Sequence, residues 1–151
     1  MLFRIYKRVF YRLVTLEKMG YQMAQIKVYG IQDKLNAVKT KLSDVIHECI
    51  VEALKFPKDK RAHRFFPLDK ENMIYPSGRT DAYTIIEITM IEGREIETKK
   101  KLVRLLFDNI QEKVGITHQD IEICIYESPA CNWGFRGMHG DEVRLDYKIN
   151  V

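Results

Sequence analysis

The sequence lacks several features that would assign a class of function at once. None of its apolar runs approaches the roughly 20 residues that a transmembrane helix needs. Its three cysteines are odd in number and form no CxxC pair, which favours reduced thiols in a cytoplasmic protein over a disulfide framework or a zinc site. Its four histidines show no HExxH spacing, so we expect no metal and no other cofactor. The glycine-rich segment 134–140 is neither a phosphate loop nor a dinucleotide fingerprint, because no helix follows it.

The net charge of +4 is concentrated near the amino terminus. Residues 1–22, the leader, carry five basic side chains and one acidic side chain, whereas the other 129 residues carry 20 of each sign. A domain with balanced charge gives no electrostatic reason to bind nucleic acid or an anionic membrane. We therefore expect no nucleic-acid partner, and any role at a membrane would fall to the leader.

The leader permits three interpretations. Its apolar stripe with bases on the other side is compatible with a basic amphipathic surface helix. A secretory signal is disfavoured, because Arg8 and Arg12 interrupt the apolar region and no small-residue cleavage site follows. In the third interpretation, residues 1–22 are not translated and the protein starts at Met23. We accordingly divide the chain into the leader and one domain, residues 23–151.

The first part of the domain reads as strand, helix, strand. Residues 25–29 alternate polar and apolar side chains, as a short strand does. Residues 35–53 repeat apolar side chains at spacings of three and four, which predicts an amphipathic helix with a wide apolar face. Residues 65–68 predict a second short strand, which Pro67 would place at a sheet edge or a bulge.

The second part repeats this order. Residues 83–91 form an apolar run rich in Ile and Thr, which is typical of a strand. An amphipathic helix is predicted between Gly93 and Gly115, and a second apolar run follows at 121–126. After this unit, residues 143–151 alternate apolar and polar side chains and predict a terminal strand.

The duplicated β-α-β order predicts an α+β fold. A crossover of this length makes the two strands of each unit parallel. Two units side by side would form one four-stranded sheet with both helices on one face. The other face would carry Ile86 and Ile88 or their neighbours, and no predicted element remains to cover it. We therefore expect self-association, with the terminal strand pairing with the sheet edge of a neighbour.

The residues now support a resemblance to a known family. The duplicated unit, the segment GRTDAYTIIEITMIEGREIETKKKLVRLLF from Gly78 and the segment DIEICIYESPACNWGFRG from Asp120 together resemble the tautomerase superfamily. The similarity is greatest to its malonate-semialdehyde-decarboxylase-like branch and spans residues 23–151. Members form trimers with helices outside and sheets inside. The resemblance thus implies a homotrimer, which suits the uncovered sheet face.

The resemblance also implies a site built around an amino-terminal proline, exposed when the initiator Met is removed. This secondary amine acts as base or acid on small 2-oxo or 3-oxo acids. The residue at that position here is Ala24, directly after Met23. A free α-amine has a pKa of about 7.7–8.0, and burial beside Arg94 would lower that pKa towards the range that suits a base at neutral pH. A primary amine could also form an imine with a carbonyl substrate. In a chain that starts at Met1, Ala24 is an ordinary amide and this chemistry is absent.

Further site residues follow from the resemblance. Arg94 matches the arginine that pairs with a substrate carboxylate, a role that the fork geometry of guanidinium suits. Trp133 and Phe135 match the apolar wall that excludes water from the pocket. Asp59 lies near the position of the branch's catalytic aspartate, one residue out of register, and Arg61 is a further polar residue near a strand end.

Two observations bear on which reaction to expect and on which residues could catalyse it. Members of the decarboxylase branch carry a second arginine just before the first, where this chain has Glu92-Gly93, and this departure weighs against decarboxylation. His63 reads as a loop histidine rather than a catalyst.

Two functions stay open at this point. The first is a tautomerase-like enzyme that moves a proton between the enol and keto forms of a small carboxylate substrate, with weak activity because Ala24 replaces proline. The alternative is a non-catalytic trimer of the same fold that binds an acidic metabolite or has a structural role. An RNA-binding module with the same element order is disfavoured, since no aromatic RNA-binding motif lies on a central strand.

Overall fold

The structure is a computed structural model, and it describes residues 24–142. The leader, Met23 and the terminal strand expected at 143–151 lie outside the described residues. Within residues 24–142, two α-helices, six strands and three short 3-10 helices follow one another: β1 Ala24–Ile31, α1 Gln32–Leu54, β2 His63–Leu68, 3-10 Lys70–Asn72, β3 Thr84–Ile91, α2 Ile96–Val114, 3-10 His118–Asp120, β4 Ile121–Ser128, 3-10 Ala130–Asn132, β5 Gly134–Phe135 and β6 Met138–His139.

The main sheet contains four strands in the order β2-β1-β3-β4. The two strands within each unit are parallel, as the crossover rule predicts. The two units meet along β1 and β3, which are antiparallel, with Ala24 opposite Met90 and Gly30 opposite Thr84. β2 is an edge strand, which is where Pro67 was expected to place it, since proline donates no ladder hydrogen bond. β5 and β6 form a separate small hairpin.

The core lies between the sheet and both helices. Alternate residues of the two central strands are fully buried, among them Val28, Ile86 and Ile88. They share one apolar cluster with residues at helical spacing on α1 and α2, such as Ile46 and Leu106. This arrangement confirms the α+β fold with two helices on one sheet face. Burying one such aliphatic side chain stabilises the fold by about 1.5–3 kcal/mol.

The opposite sheet face carries the neighbours of Ile86 and Ile88, such as Ile85 and Glu87, because strand side chains alternate. Cys124 and Tyr126 of β4 are exposed on this face. The face is not bare throughout, because the segment between β2 and β3 contributes Met73 and Tyr83 to a second apolar cluster, and Ile85 packs against that cluster.

One expectation was wrong. His63 is not in a loop but is the first residue of β2, which begins two residues before the predicted start. The backbone ladder sets this boundary, because His63 lies opposite Ile26 of β1. The ring of His63 lies on the helix side, where its Nδ1 is 2.9 Å from Ser43 Oγ of α1. Among residues 24–142, no helix is long and apolar enough to cross a membrane.

Candidate functional site

The topology brings four strand ends to one edge of the sheet. β1 and β2 both begin at this edge, and β3 and β4 both end there. The site residues inferred from sequence lie in or near these ends along the chain: Ala24 in β1, Asp59 and Arg61 before β2, Arg94 after β3, and Trp133 and Phe135 after β4.

Ala24 is the first residue of β1 and is 5% exposed. Its side chain belongs to the main core cluster, and its backbone lies opposite Met90, near the end of β3. The nitrogen of Ala24 therefore lies at the sheet edge. Because residue 23 lies outside the described residues, the role of this nitrogen stays a prediction.

Arg94 is a buried cation at the same edge, with 5% of its surface exposed. Gly93, with φ of +124°, turns the chain out of β3 immediately before it, a conformation that favours glycine. The Arg94 Nη1 donates to the carbonyl of Ile91, the last residue of β3, at 2.7 Å. α2 begins two residues later at Ile96, so a cation here is disfavoured by the helix dipole as well as by burial.

Trp133 and Phe135 are half-buried beyond the end of β4. The amide of Trp133 donates to the Ala130 carbonyl at 3.0 Å, and its own carbonyl accepts from the Gly140 amide at 2.8 Å. The indole Nε1 is buried and has no hydrogen-bond partner among residues 24–142. Gly140 packs so closely that a Cβ there would lie 2.3 Å from the Ala130 oxygen. This contact fixes the β5–β6 hairpin against the chain that carries Trp133.

Arg61 points to α1. Its Nη1 donates to Asp44 Oδ1 at 2.6 Å and to Ser43 Oγ at 3.5 Å, and the side chain is exposed. Asp59 is exposed in the turn that the Lys60 amide closes by donating to the Pro57 carbonyl at 3.1 Å. Both residues lie on the segment that leads into β2, and their binding roles stay predictions.

A polar cluster beneath this segment was not found from the sequence. His47, in the middle of α1, is 6% exposed, and its Nε2 lies 2.8 Å from the Lys58 carbonyl. The rings of His47 and His63 meet edge to face at 6.1 Å between centroids. Burial first, and then the positive charge of Arg61, lower the pKa of His63 to about 4. The sequence signal was the helical spacing of Ser43 and His47, but nothing in the sequence paired them with His63.

No cluster of three or more His, Cys, Asp or Glu side chains within residues 24–142 could hold a metal ion. The histidine pair is used instead for hydrogen bonds to a hydroxyl and a carbonyl. What the edge offers chemically is a strand-terminal nitrogen, a buried guanidinium and an aromatic pair.

The fold and the candidate site at the shared strand ends define a class of protein. Comparison with known proteins identifies that class. A family model described as "Tautomerase enzyme" matches residues 60–136, which is half of the chain and runs from the approach to β2 into the β5–β6 hairpin. The chain therefore belongs to the tautomerase family.

Individual relatives agree with this assignment. The chain is 29% identical over 100 residues to the probable tautomerase YrdN of Bacillus subtilis, covering 63% of this chain and 77% of the relative. It is 32% identical over 57 residues to the 2-hydroxymuconate tautomerase of Comamonas testosteroni, covering 38% of this chain and 90% of the relative.

Solved structures show the same fold. A malonate semialdehyde decarboxylase superposes with a TM-score of 0.68 at 21% identity, covering 76% of this chain and 92% of the other. A fused 4-OT described as an asymmetric trimer superposes with a TM-score of 0.68 at 21% identity, covering 77% and 95%. These likenesses confirm the tautomerase fold that the sequence predicted.

Proposed function

We propose that this protein is an enzyme that transfers a proton between the enol and keto forms of a small 2-oxo or 3-oxo acid. The observation that carries the proposal is the buried guanidinium of Arg94, which donates to the carbonyl of Ile91 at the end of β3 and lies two residues before α2. A planar guanidinium binds a carboxylate through two parallel hydrogen bonds, which fixes the orientation of a small acid. A relative of this chain bears the name 2-hydroxymuconate tautomerase, which supports the same reaction class.

The base in this proposal is the α-amine of Ala24, in a chain that begins at that residue. Desolvation at this buried strand end and the like charge of Arg94 both disfavour the ammonium form, so the pKa of the amine would lie below its ordinary range. The substrate carboxylate would pair with Arg94, and Trp133 and Phe135 would exclude water from the enol. Asp59 and Arg61 would contact the substrate from the segment before β2.

Proton transfer is favoured over decarboxylation by the residues before Arg94. Glu92 and Gly93 occupy the positions where the decarboxylase branch carries another cation, and Glu92 is exposed. We therefore propose an isomerase rather than a decarboxylase.

We also propose that residues 23–151 act as a homotrimer. The exposed β4 side chains on the face opposite the helices would then be covered by neighbouring copies. Light scattering of the full 151-residue chain after gel filtration should give three times its mass of 17.9 kDa. A monomer at micromolar concentration would refute the assembly without touching the proposed chemistry.

Ketonisation of phenylenolpyruvate, followed by ultraviolet absorbance, tests the reaction. We would compare the full chain with a chain that begins at Ala24, and in the shorter chain compare Arg94→Ala and Ala24→Pro. We expect activity only in the chain that begins at Ala24, at least a tenfold loss of kcat/KM in Arg94→Ala from the lost ion pair, and a gain in Ala24→Pro. Arg104→Ala, at an exposed site on α2, is the matched control and should leave the rate unchanged.

The alternative is a binding protein without turnover, which the replacement of proline by Ala24 favours. In that case phenylpyruvate would bind to the protein in calorimetry, binding would need Arg94, and neither chain would accelerate ketonisation. Accelerated ketonisation that is equal in the chain beginning at Ala24 and in its Arg94→Ala variant would refute the site itself.

A further inference from the structure

An ion pair at the edge of the candidate site joins the first turn of α2 to the end of β4. Lys99 Nζ lies 2.6 Å from Glu127 Oε2, and the two side chains are 26% and 25% exposed. Among the ion pairs of residues 24–142, this one has the least exposed pair of side chains. Water and salt therefore screen it less than the others.

The position of Lys99 in α2 is unusual for a cation. Acidic side chains are favoured near the amino terminus of a helix, and cations are disfavoured there. Lys99 ends the first turn of α2, and its amide donates to the Glu95 carbonyl at 3.2 Å. The ion pair with Glu127 therefore offsets a local electrostatic cost in addition to joining two elements.

The turn 92–95, which carries Arg94, lies between two contacts with β4. On its incoming side, the Glu92 amide donates to the carbonyl of Ser128, the last residue of β4, at 3.0 Å. On its outgoing side, Lys99 pairs with Glu127, the residue before Ser128. The last two residues of β4 thus hold the chain on both sides of Arg94.

The hydrophobic core does not reach this first turn. The first buried residue of α2 is Leu102, and residues 95–97 are exposed. Arg94 and Thr98 make further contacts, so the ion pair is one restraint among several. Loss of the pair should therefore loosen the chain between Arg94 and Leu102 without unfolding α2, which is anchored in the core from Leu102 onwards.

We propose that Lys99 and Glu127 are a positioning pair, which holds the turn 92–95 so that the guanidinium of Arg94 keeps the orientation that binds a substrate carboxylate. The inference rests on the proposed function, in which Arg94 is the carboxylate ligand. Two parallel hydrogen bonds to a carboxylate need a fixed guanidinium plane, so a small rotation of the turn weakens binding. Neither Lys99 nor Glu127 touches the substrate.

Two other roles of the pair predict different results. If Lys99 itself bound the substrate carboxylate, Glu127 would compete with the substrate, so Glu127→Gln would lower KM and Lys99→Met would raise it. If the pair only stabilised the fold, both variants would lower the midpoint of thermal unfolding and leave KM unchanged. A positioning pair makes the two variants equal, because either substitution breaks the same contact, and the double variant is then no worse than either one.

Solvent exchange at Arg94 tests the positioning directly and needs no substrate. The Nε of Arg94 is buried, so in a nitrogen-15-labelled full chain its N–H should exchange slowly with water. We expect this N–H and the amides of residues 92–95 to exchange about fivefold faster in Lys99→Met and in Glu127→Gln than in wild type. Exchange at Arg94 that is as slow in both variants as in wild type would overturn the inference.

Two further variants separate this pair from ion pairs in general. Lys113→Met breaks the 2.9 Å ion pair of Lys113 with Glu48 at the other end of α2, so as the matched control it should leave exchange at Arg94 unchanged. Exchanging the charges, Lys99→Glu with Glu127→Lys, keeps the summed length of the two side chains and should restore slow exchange. Equal acceleration in Lys113→Met and Lys99→Met would contradict a role specific to this pair.

Kinetics in the chain that begins at Ala24 test whether the positioning serves binding. A carboxylate ligand acts on substrate and transition state alike. We therefore expect KM for phenylenolpyruvate to rise about fivefold in Lys99→Met, in Glu127→Gln and in the double variant, with kcat within about twofold of wild type. In a protein without turnover, the Kd of phenylpyruvate in calorimetry takes the place of KM.

The outcomes distinguish failure of the pair from failure of the proposed function. Opposite changes of KM in the two single variants, or a rise in the double variant equal to the product of the two single rises, would refute the positioning role. If Arg94→Ala binds and converts the substrate as wild type does, the proposed function fails. Exchange of the Arg94 N–H then still decides whether Lys99 and Glu127 position that side chain.

Discussion

Substitution of Gly140 by alanine should displace the hairpin that positions Trp133. A Cβ at this position would lie 2.3 Å from the Ala130 carbonyl oxygen and 3.0 Å from the Trp133 Cβ. Both neighbours are poorly able to yield, since one is backbone and the other is the first side-chain atom. The chain must therefore separate by roughly 1 Å to restore an ordinary contact.

This separation removes the hydrogen bond from the Gly140 amide to the Trp133 carbonyl, which is 2.8 Å long. Loss of one such bond costs about 1 kcal/mol, and overpacking at a tight site costs about 1–3 kcal/mol. The hairpin lies outside the main core, so we expect it to move rather than to unfold the domain. The main loss should thus be local.

The single tryptophan of the chain reports on this movement directly. In Gly140→Ala we expect the emission of Trp133 to shift to longer wavelength and to be quenched more strongly by acrylamide, with the midpoint of thermal unfolding nearly unchanged. Gly134→Ala, in the same hairpin, is the matched control, because a Cβ there meets nothing within 4 Å. Emission and quenching in Gly140→Ala equal to those of Gly134→Ala would refute the reasoning.

Three further predictions concern the stability and reactivity of the domain. Leu106 is fully buried, so Leu106→Ala should lower the free energy of unfolding in urea by about 2–5 kcal/mol. Ile96 is 66% exposed, so Ile96→Ala should change this free energy by less than about 0.5 kcal/mol. Equal losses in the two variants would contradict the core assignment. Burial raises the pKa of the Cys49 thiol to about 11, so at pH 8 a thiol reagent should modify exposed Cys131 and leave Cys49 intact until urea unfolds the chain, as mass spectrometry of peptides would show. Lys55 ends α1 in the left-handed conformation, with φ of +54°. This conformation costs a non-glycine residue about 1–2 kcal/mol, and glycine loses part of that gain to entropy, so Lys55→Gly should stabilise the protein by about 0.5–1 kcal/mol. Lys55→Ala keeps the strain and should not stabilise the protein.

Periodicity predicted most of the elements correctly. The alternation at 25–29 and the apolar run at 83–91 became β1 and β3, and the helical spacing at 35–53 became α1. These patterns are local, since they arise from burying one face of a strand or helix. The family was likewise predicted from quoted segments, and the family model and relatives confirm it.

The site residues were predicted by resemblance, but their common edge required the sheet. Each unit alone fixes the direction of its own two strands. Only the antiparallel pairing of β1 with β3 puts the start of the first unit beside the end of the second, so that Ala24 and Arg94 come to the same edge. That pairing joins residues 54 to 66 positions apart, from Gly30 with Thr84 to Ala24 with Met90, and no short-range pattern encodes it.

The sequence by itself determined the strand and helix order of the two β-α-β units, the parallel pairs within each unit and membership of the tautomerase family, because side-chain periodicity and short motifs are properties of neighbouring residues. The tertiary structure decided which neighbours of Ile86 face away from the helices, that His63 belongs to β2 and contacts Ser43, and that Gly140 closes on Ala130. Those outcomes depend on register and on contacts between distant elements, and a one-residue change of register would have reversed each strand face.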